Sequence, residues 1–163
     1  LSCGSDLPIA INTVHRHLLD ECLYPAMMFP TQREPEMSIY THVTVGTNNL
    51  DKARRFYDDV LGKLGHKRVA DLGDNGSIWG PDAPAFFVLK PANGEPATVG
   101  NGVTISFDAP SRAAIDAFHA AAIAAGGVCA GAPGPRPWAP NAYAAYIRDL
   151  DGNKLAAYCF KPA

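Results

Sequence analysis

Residues 40–160 repeat one pattern of strand and helix at an offset of 62 positions, and this duplication constrains the fold more than any other feature. The run Tyr40–Gly46 alternates polar and apolar residues, as a half-buried strand does. Asn49 then precedes a helix over Leu50–Leu61, which places Ala53, Phe56, Tyr57, Val60 and Leu61 on one face before Gly62 and Gly65 stop it. Further on, Val103–Asp108 alternates again. Ser111 caps a helix from Arg112 to Ala125 with Ile115, Phe118, Ala122 and Ile123 as its apolar stripe, and Gly126-Gly127 end it. In register, His42 falls on Thr104, Ala53 on Ile115, Phe56 on Phe118, Leu61 on Ile123 and Gly65 on Gly127. Coincidence supplies one or two such matches, not a whole series in phase with strand and helix type.

Three strand-like pieces follow each helix: Lys67–Leu72, Ser77–Trp79 and Ala85–Lys90, then Val128–Ala130, Tyr143–Arg148 and Lys154–Phe160. Asp74-Asn75-Gly76 and Asp151-Gly152-Asn153 carry turn chemistry. The repeating unit is therefore βαβββ. The fold class is α+β: two βαβββ modules, 38–91 and 101–161, forming a cupped eight-stranded mixed sheet with the helices outside. A linker rich in Gly, Pro and Asn, Pro91–Gly102, joins them within one domain over residues 38–161.

Residues 1–36 form a distinct N-terminal extension with Pro8, Pro25, Pro30 and Pro35 and one expected helix over 12–24. His15 and His17 lie on different faces of that helix, so solvated histidines are expected there rather than a metal pair.

Bulk properties exclude several function classes. A formal charge of −2 with scattered Lys and Arg argues against nucleic acid and anionic membrane surfaces. No apolar run approaches the roughly 20 residues that cross a bilayer. The four cysteines, Cys3, Cys22, Cys129 and Cys159, match neither a zinc site nor a disulfide scaffold. They read as reduced thiols, with Cys129 and Cys159 filling strands, and they suggest a cytoplasmic protein.

Paired βαβββ modules with His42-Val-Thr-Val, Asn49-Leu-Asp-Lys-Ala-Arg-Arg-Phe-Tyr57, Ala109-Pro-Ser-Arg-Ala-Ala-Ile-Asp-Ala-Phe118 and Arg148-Asp-Leu-Asp-Gly-Asn153 resemble the vicinal oxygen chelate superfamily. That superfamily includes glyoxalase I, bleomycin-binding proteins, fosfomycin-resistance enzymes and extradiol dioxygenases. The motifs speak for the fold far more than for a reaction, since one fold hosts several chemistries. The resemblance also implies a homodimer, the default symmetry being cyclic.

In metal-dependent members the ligands come from the first and last strand of each module. Carried across, these positions give His42, then Thr104, a strand Ala85–Lys90 without carboxylate or imidazole, and Ala156 where such members place Glu. Holding a transition metal takes about three protein ligands. No metal cofactor is therefore predicted, a divalent metal entering only if His42 is a ligand. His42 reads first as a histidine hydrogen-bonded to Thr44, Thr104 or water inside the cup, with metal ligand and general acid or base as its functional alternatives. His66 and His119 read as exposed, and Asp149–Asn153 as a turn rather than a calcium loop.

Strand alternation places His42, Thr44, Thr104 and Ser106 on the cup floor. Above them, the proline-dense stretch Gly131–Tyr143 is expected to form a stiff loop carrying Arg136, Trp138 and Tyr143. Arg136 suits a carboxylate or phosphate and Trp138 a flat group, while plugging the loop onto the sheet is the structural alternative for Trp138. Trp79, Phe87, Tyr158 and Phe160 are further candidates for the cup wall. The function expected is binding of a small organic molecule without an intact metal site. The alternative is an enzyme, a glyoxalase-like lyase or extradiol-type dioxygenase with other ligands, and a purely structural module with an empty cup is a third reading.

Overall fold

The structure is a computed structural model, and it describes residues 39–162 of the chain. The helix expected over residues 12–24 and the His15 and His17 pair lie outside the described residues. The elements run β1 (Val43–Gly46), α1 (Leu50–Gly62), β2 (Lys67–Asp71), β3 (Gly76–Gly80), β4 (Phe86–Leu89), β5 (Ile105–Asp108), α2 (Arg112–Ala124), β6 (Val128–Pro135), β7 (Tyr143–Arg148) and β8 (Lys154–Cys159). Strands β1 and β5, and helices α1 and α2, begin and end 62 positions apart. Each module is βαβββ, and the eight strands fall into two four-stranded mixed sheets of matching order, β1-β4-β3-β2 and β5-β8-β7-β6.

Local chemistry explains the elements. Asn49 accepts a hydrogen bond from Lys52 N and Ser111 from Ala114 N, so both helices start on a side-chain cap that satisfies an orphan amide. After the helices the repeat slips by one residue: the left-handed glycines are Gly65 (φ 87°) and Gly126 (φ 93°), so Gly65 corresponds to Gly126 rather than to Gly127. Strand β6 is longer than its counterpart β2 and carries two register shifts. The stretch expected to be a loop from Gly131 is thus strand as far as Pro135, which is tolerated because β6 is an edge with one unpaired side.

Strand phase decides what faces the helices. In the first sheet Val45, Val88 and Ser77 lie in one row and Phe86 beside Trp79, and Val45, Trp79, Phe86 and Val88 join the core under α1. The other face carries Thr44, Phe87 and Ile78. In the second sheet Phe107, Ala145, Ile147, Leu155, Ala157 and Cys159 meet Ile115, Phe118 and Ala122 of α2. Phe56 and Phe118, the in-register pair, are both fully buried in one core shared by the modules. Burying a ring of that size contributes about 2–3 kcal/mol. Cys159 is buried as expected, whereas Cys129 is exposed and stands 3.2 Å from His119 Nε2. No described helix is long and apolar enough to cross a membrane.

The turn after β7 clasps the start of the first module. Thr47 Oγ1 donates to Asp151 Oδ2 at 2.6 Å, Asn48 N donates to Asp151 Oδ1 at 2.8 Å, and Asn153 Nδ2 donates to the Gly46 carbonyl at 3.1 Å. The motif Asp149–Asn153 is thereby a turn with a structural task, binding module to module.

Candidate functional site

The helix-distal face of the second sheet is built from alternate residues of β7 and β8. Because Leu155, Ala157 and Cys159 point to the core, Tyr158 projects the other way, with Phe160 following it beyond the strand end. On β7, Tyr146 stands opposite Ala156. Four aromatic rings, those of Tyr146, Tyr158, Phe160 and Trp138, assemble on this face. Tyr158 and Phe160 stack at 5.8 Å with 8° between planes, Tyr146 meets Tyr158 edge-on at 5.9 Å, and Trp138 approaches Tyr158 at 6.4 Å. Trp138 and Phe160 are 59% and 54% exposed, so more than half of each side chain lies open to a ligand. With Ser106, Phe107 and Asp108 of β5 they line a depression of about 390 Å³, within the range of small-molecule sites.

Electrostatics on this face are unusual. The hydroxyls of Tyr146 and Tyr158 share a short hydrogen bond. Burial first, and then that bond, push the Tyr158 hydroxyl up to about 12, so it stays protonated across the physiological range. The Arg136 guanidinium lies 5.3 Å from the Tyr146 ring centroid and Lys154 Nζ 5.1 Å from the same centroid. Arg136 is committed elsewhere: it donates to the carbonyls of Ala132 (2.8 Å), Ala144 (2.9 Å) and Pro135 (3.3 Å). Those bonds lock β6 against β7 and leave the guanidinium poorly placed to grip an external carboxylate.

Of the residues singled out from sequence, the structure brings Ser106, Trp138, Tyr158 and Phe160 to one depression. Tyr143 is on the opposite side of its strand. Its hydroxyl donates to Asp116 of α2 at 2.7 Å, a bond that also raises its pKa, and Arg112 lies 5.4 Å from its ring centroid. Trp79 is wholly buried beneath α1 with its Nε1 donating to Asp58 at 3.0 Å, and so forms no part of a cup wall. Thr104 precedes β5 and is exposed. Thr44 lies on the outer face of the first sheet with Phe87, and the His42 ring packs 4.4 Å from Phe87. The Nδ1 of His42 is 3.1 Å from Thr41 Oγ1, its own neighbour, rather than bonded to Thr44 or Thr104. His66, expected on the surface, is half-buried with its Nδ1 inaccessible and unpartnered.

Sequence reasoning missed Tyr146 and Lys154. The available signal was Tyr146 standing an odd number of residues from the core-facing Ala145 and Ile147, but the phase of β7 is not readable before the core is known. The metal positions of the superfamily do not fit this chain. Among the described residues no three of His, Cys, Asp or Glu come together as a metal would need. His42 stands beside the Phe87 ring and the Thr41 hydroxyl.

Two βαβββ modules that share one core define a paired-module α+β protein of the vicinal oxygen chelate type. The chain belongs to the Glyoxalase/Bleomycin resistance protein/Dioxygenase superfamily, whose profile matches residues 39–157. It is similar to a glyoxalase/bleomycin resistance protein from Albidiferax ferrireducens T118, with 44% identity over 74% of this chain and 98% of that one and a TM-score of 0.68. A lactoylglutathione lyase from Agrobacterium tumefaciens is 21% identical over 77% of this chain and 95% of that one, with a TM-score of 0.54. A hypothetical protein from S. aureus is 20% identical over 75% and 94%, with a TM-score of 0.57. The last two share the fold. No curated protein matches.

Proposed function

We propose that the chain binds a small, flat aromatic molecule on the outer face of its second sheet, and does so without a metal. The observation that supports this most is the open aromatic cluster of Trp138, Tyr158 and Phe160 over a depression of about 390 Å³. Rings already packed at stacking distances lose little entropy when a further ring joins them. Ser106 and Asp108 supply hydrogen-bonding groups at the rim.

The test is a thermal-shift and fluorescence screen with two-ring aromatics such as indole and naphthol, together with elemental analysis of the purified protein. Binding that raises the apparent stability and falls at least tenfold in Trp138→Ala and in Tyr158→Ala supports the reading. Tight uptake of one zinc or nickel per chain, lost in His42→Ala and accompanied by glyoxalase turnover, would overturn it in favour of a metal-dependent lyase.

A further inference from the structure

Helix α2 and strand β6 bring together two reactive groups that the aromatic face does not use. His119 Nε2 lies 3.2 Å from Cys129 Sγ, at hydrogen-bonding distance. Cys129 pairs with Ile147, whose side chain is in the core, so the thiol stands on the helix-facing side of the sheet, away from the cluster of Tyr146, Tyr158 and Phe160. A register shift follows at once, between Cys129 and Gly131, and bulges of this kind re-aim a side chain. Strand β6 is the edge of its sheet, and the next residues, Ala130, Gly131 and Ala132, are too small to screen the sulfur.

Packing gives no reason for this arrangement. A cysteine that fills a core is buried, as Cys159 is, whereas Cys129 is exposed. A metal gives none either, because among the described residues no third His, Cys, Asp or Glu joins the pair. What the geometry supplies is a nucleophile touching a proton acceptor on an accessible surface. The attacking form of a cysteine is its thiolate. An imidazole in contact takes the thiol proton and, as imidazolium, keeps a charge-assisted hydrogen bond to the sulfur. Cys159 cannot serve as the second sulfur of a disulfide. Strand β7 lies between the two strands, and two strand spacings are about 9–10 Å against the roughly 7 Å limit between bridged Cα atoms. The sulfur that reacts with Cys129 therefore comes from another molecule.

We propose that Cys129 is a site of reversible mixed-disulfide formation with small disulfides, with His119 as its proton acceptor. Sγ attacks one sulfur of a disulfide RSSR, and the new Sγ–S bond forms as the S–S bond of the reagent breaks. The proton passes from Cys129 through His119 Nε2 to the departing RS−. The products are Cys129–S–S–R and RSH, and no outside oxidant is needed because one disulfide replaces another.

The experiment uses the full chain with 2-hydroxyethyl disulfide, a small neutral reagent, and peptide mapping by mass spectrometry to follow each of the four cysteines separately. The reference is the synthetic peptide 126–134, which carries the same cysteine without His119. At pH 7 Cys129 of the chain is expected to take up the thiol about tenfold faster than the peptide does. His119→Gln is expected to bring that rate down to the peptide's, with Cys159 unmodified throughout. At pH 10 a thiol ionises unaided, so chain, variant and peptide should agree within about twofold. Excess dithiothreitol should return the free thiol. A Cys129 that reacts no faster than the peptide at pH 7 overturns the proposal without recourse to any variant. So does an advantage that survives His119→Gln, or a variant still slow at pH 10, which marks lost access rather than a lost proton acceptor. Displacement of the added thiol by another cysteine of the chain overturns it too. Because the thiol and the aromatic cluster are on opposite faces of the sheet, failure here leaves the reading of the outer face untouched.

Discussion

The buried hydroxyl of Tyr57 on α1 donates to the buried carboxylate of Asp149 at the end of β7, joining the two modules through their common core. Asp149 is fully satisfied: Oδ1 accepts from Asp151 N (3.0 Å) and Asn153 N (2.7 Å), and Oδ2 accepts from Asn153 Nδ2 (2.8 Å) as well as from Tyr57. Such a group stabilises only while its partners remain, since a buried charge left short of donors costs more than the bond itself. Tyr57→Phe is expected to lose about 1–3 kcal/mol of unfolding free energy in urea. Asp149→Ala is expected to lose about 3–5 kcal/mol, because the turn and the module contact fail together. Equal, small losses below 0.5 kcal/mol in both variants would show the network to be ornamental.

Alkaline pH tests the same hydroxyl. Burial, and then the neighbouring Asp149, hold the Tyr57 pKa well above its usual 10 in the folded chain. A raised folded pKa gives stability that is whole below about pH 10 and is lost as pH climbs toward the folded value, because the unfolded tyrosine ionises first. Unfolding free energy should therefore fall above pH 10, and the fall should be shallower in Tyr57→Phe. Identical alkaline slopes for parent and variant would contradict this.

His66 acts at the other end of the scale. Burial lowers its pKa from the usual 6.5, with Asp108 acting weakly in the opposite sense. The folded chain then resists a proton that the unfolded chain accepts, so the linked stability is present above pH 6.5 and is lost as pH falls through the folded value. His66→Gln should flatten the stability profile below pH 6.5 when followed by denaturation at pH 5 and pH 7.5, while leaving the alkaline limb unchanged.

Two glycines at the end of α1 should respond with opposite signs. Gly62 is the last helical residue, has ordinary φ, and an added Cβ would meet nothing within 4 Å. Gly62→Ala is expected to stabilise by about 0.5–1 kcal/mol through helix propensity and a less free unfolded chain. Gly65, at φ 87°, faces equally open space but a conformation hostile to a side chain, so Gly65→Ala should destabilise by about 1 kcal/mol. Shifts of the same sign in thermal unfolding would refute the distinction.

The repeat was legible because it is written in local rules. Asn49 and Ser111 cap because their side chains reach amides three residues on, and the helix stripes follow a period set by backbone geometry, except that Ile123, expected on the α2 stripe in register with Leu61, lies 41% exposed at the helix end. What failed to be legible was phase and partnership. Trp79 and Ile78 are neighbours of equal apolarity, and only packing under α1 decided that Trp79 goes inward. Tyr143 and Tyr146 lie three apart on one strand and end on opposite faces, one bonded to Asp116 and the other in the aromatic cluster.

By itself, then, the sequence determined two βαβββ modules in an α+β fold and the residue types at its inherited metal positions, all consequences of spacing and residue type. Tertiary structure alone decided that Arg136 is consumed by the carbonyls of Ala132, Ala144 and Pro135 and that Asp149 clasps Tyr57. Each of those depends on atoms brought together from separate strands or modules. Hydrogen bonding and burial act on distance in space, which no separation along the chain encodes.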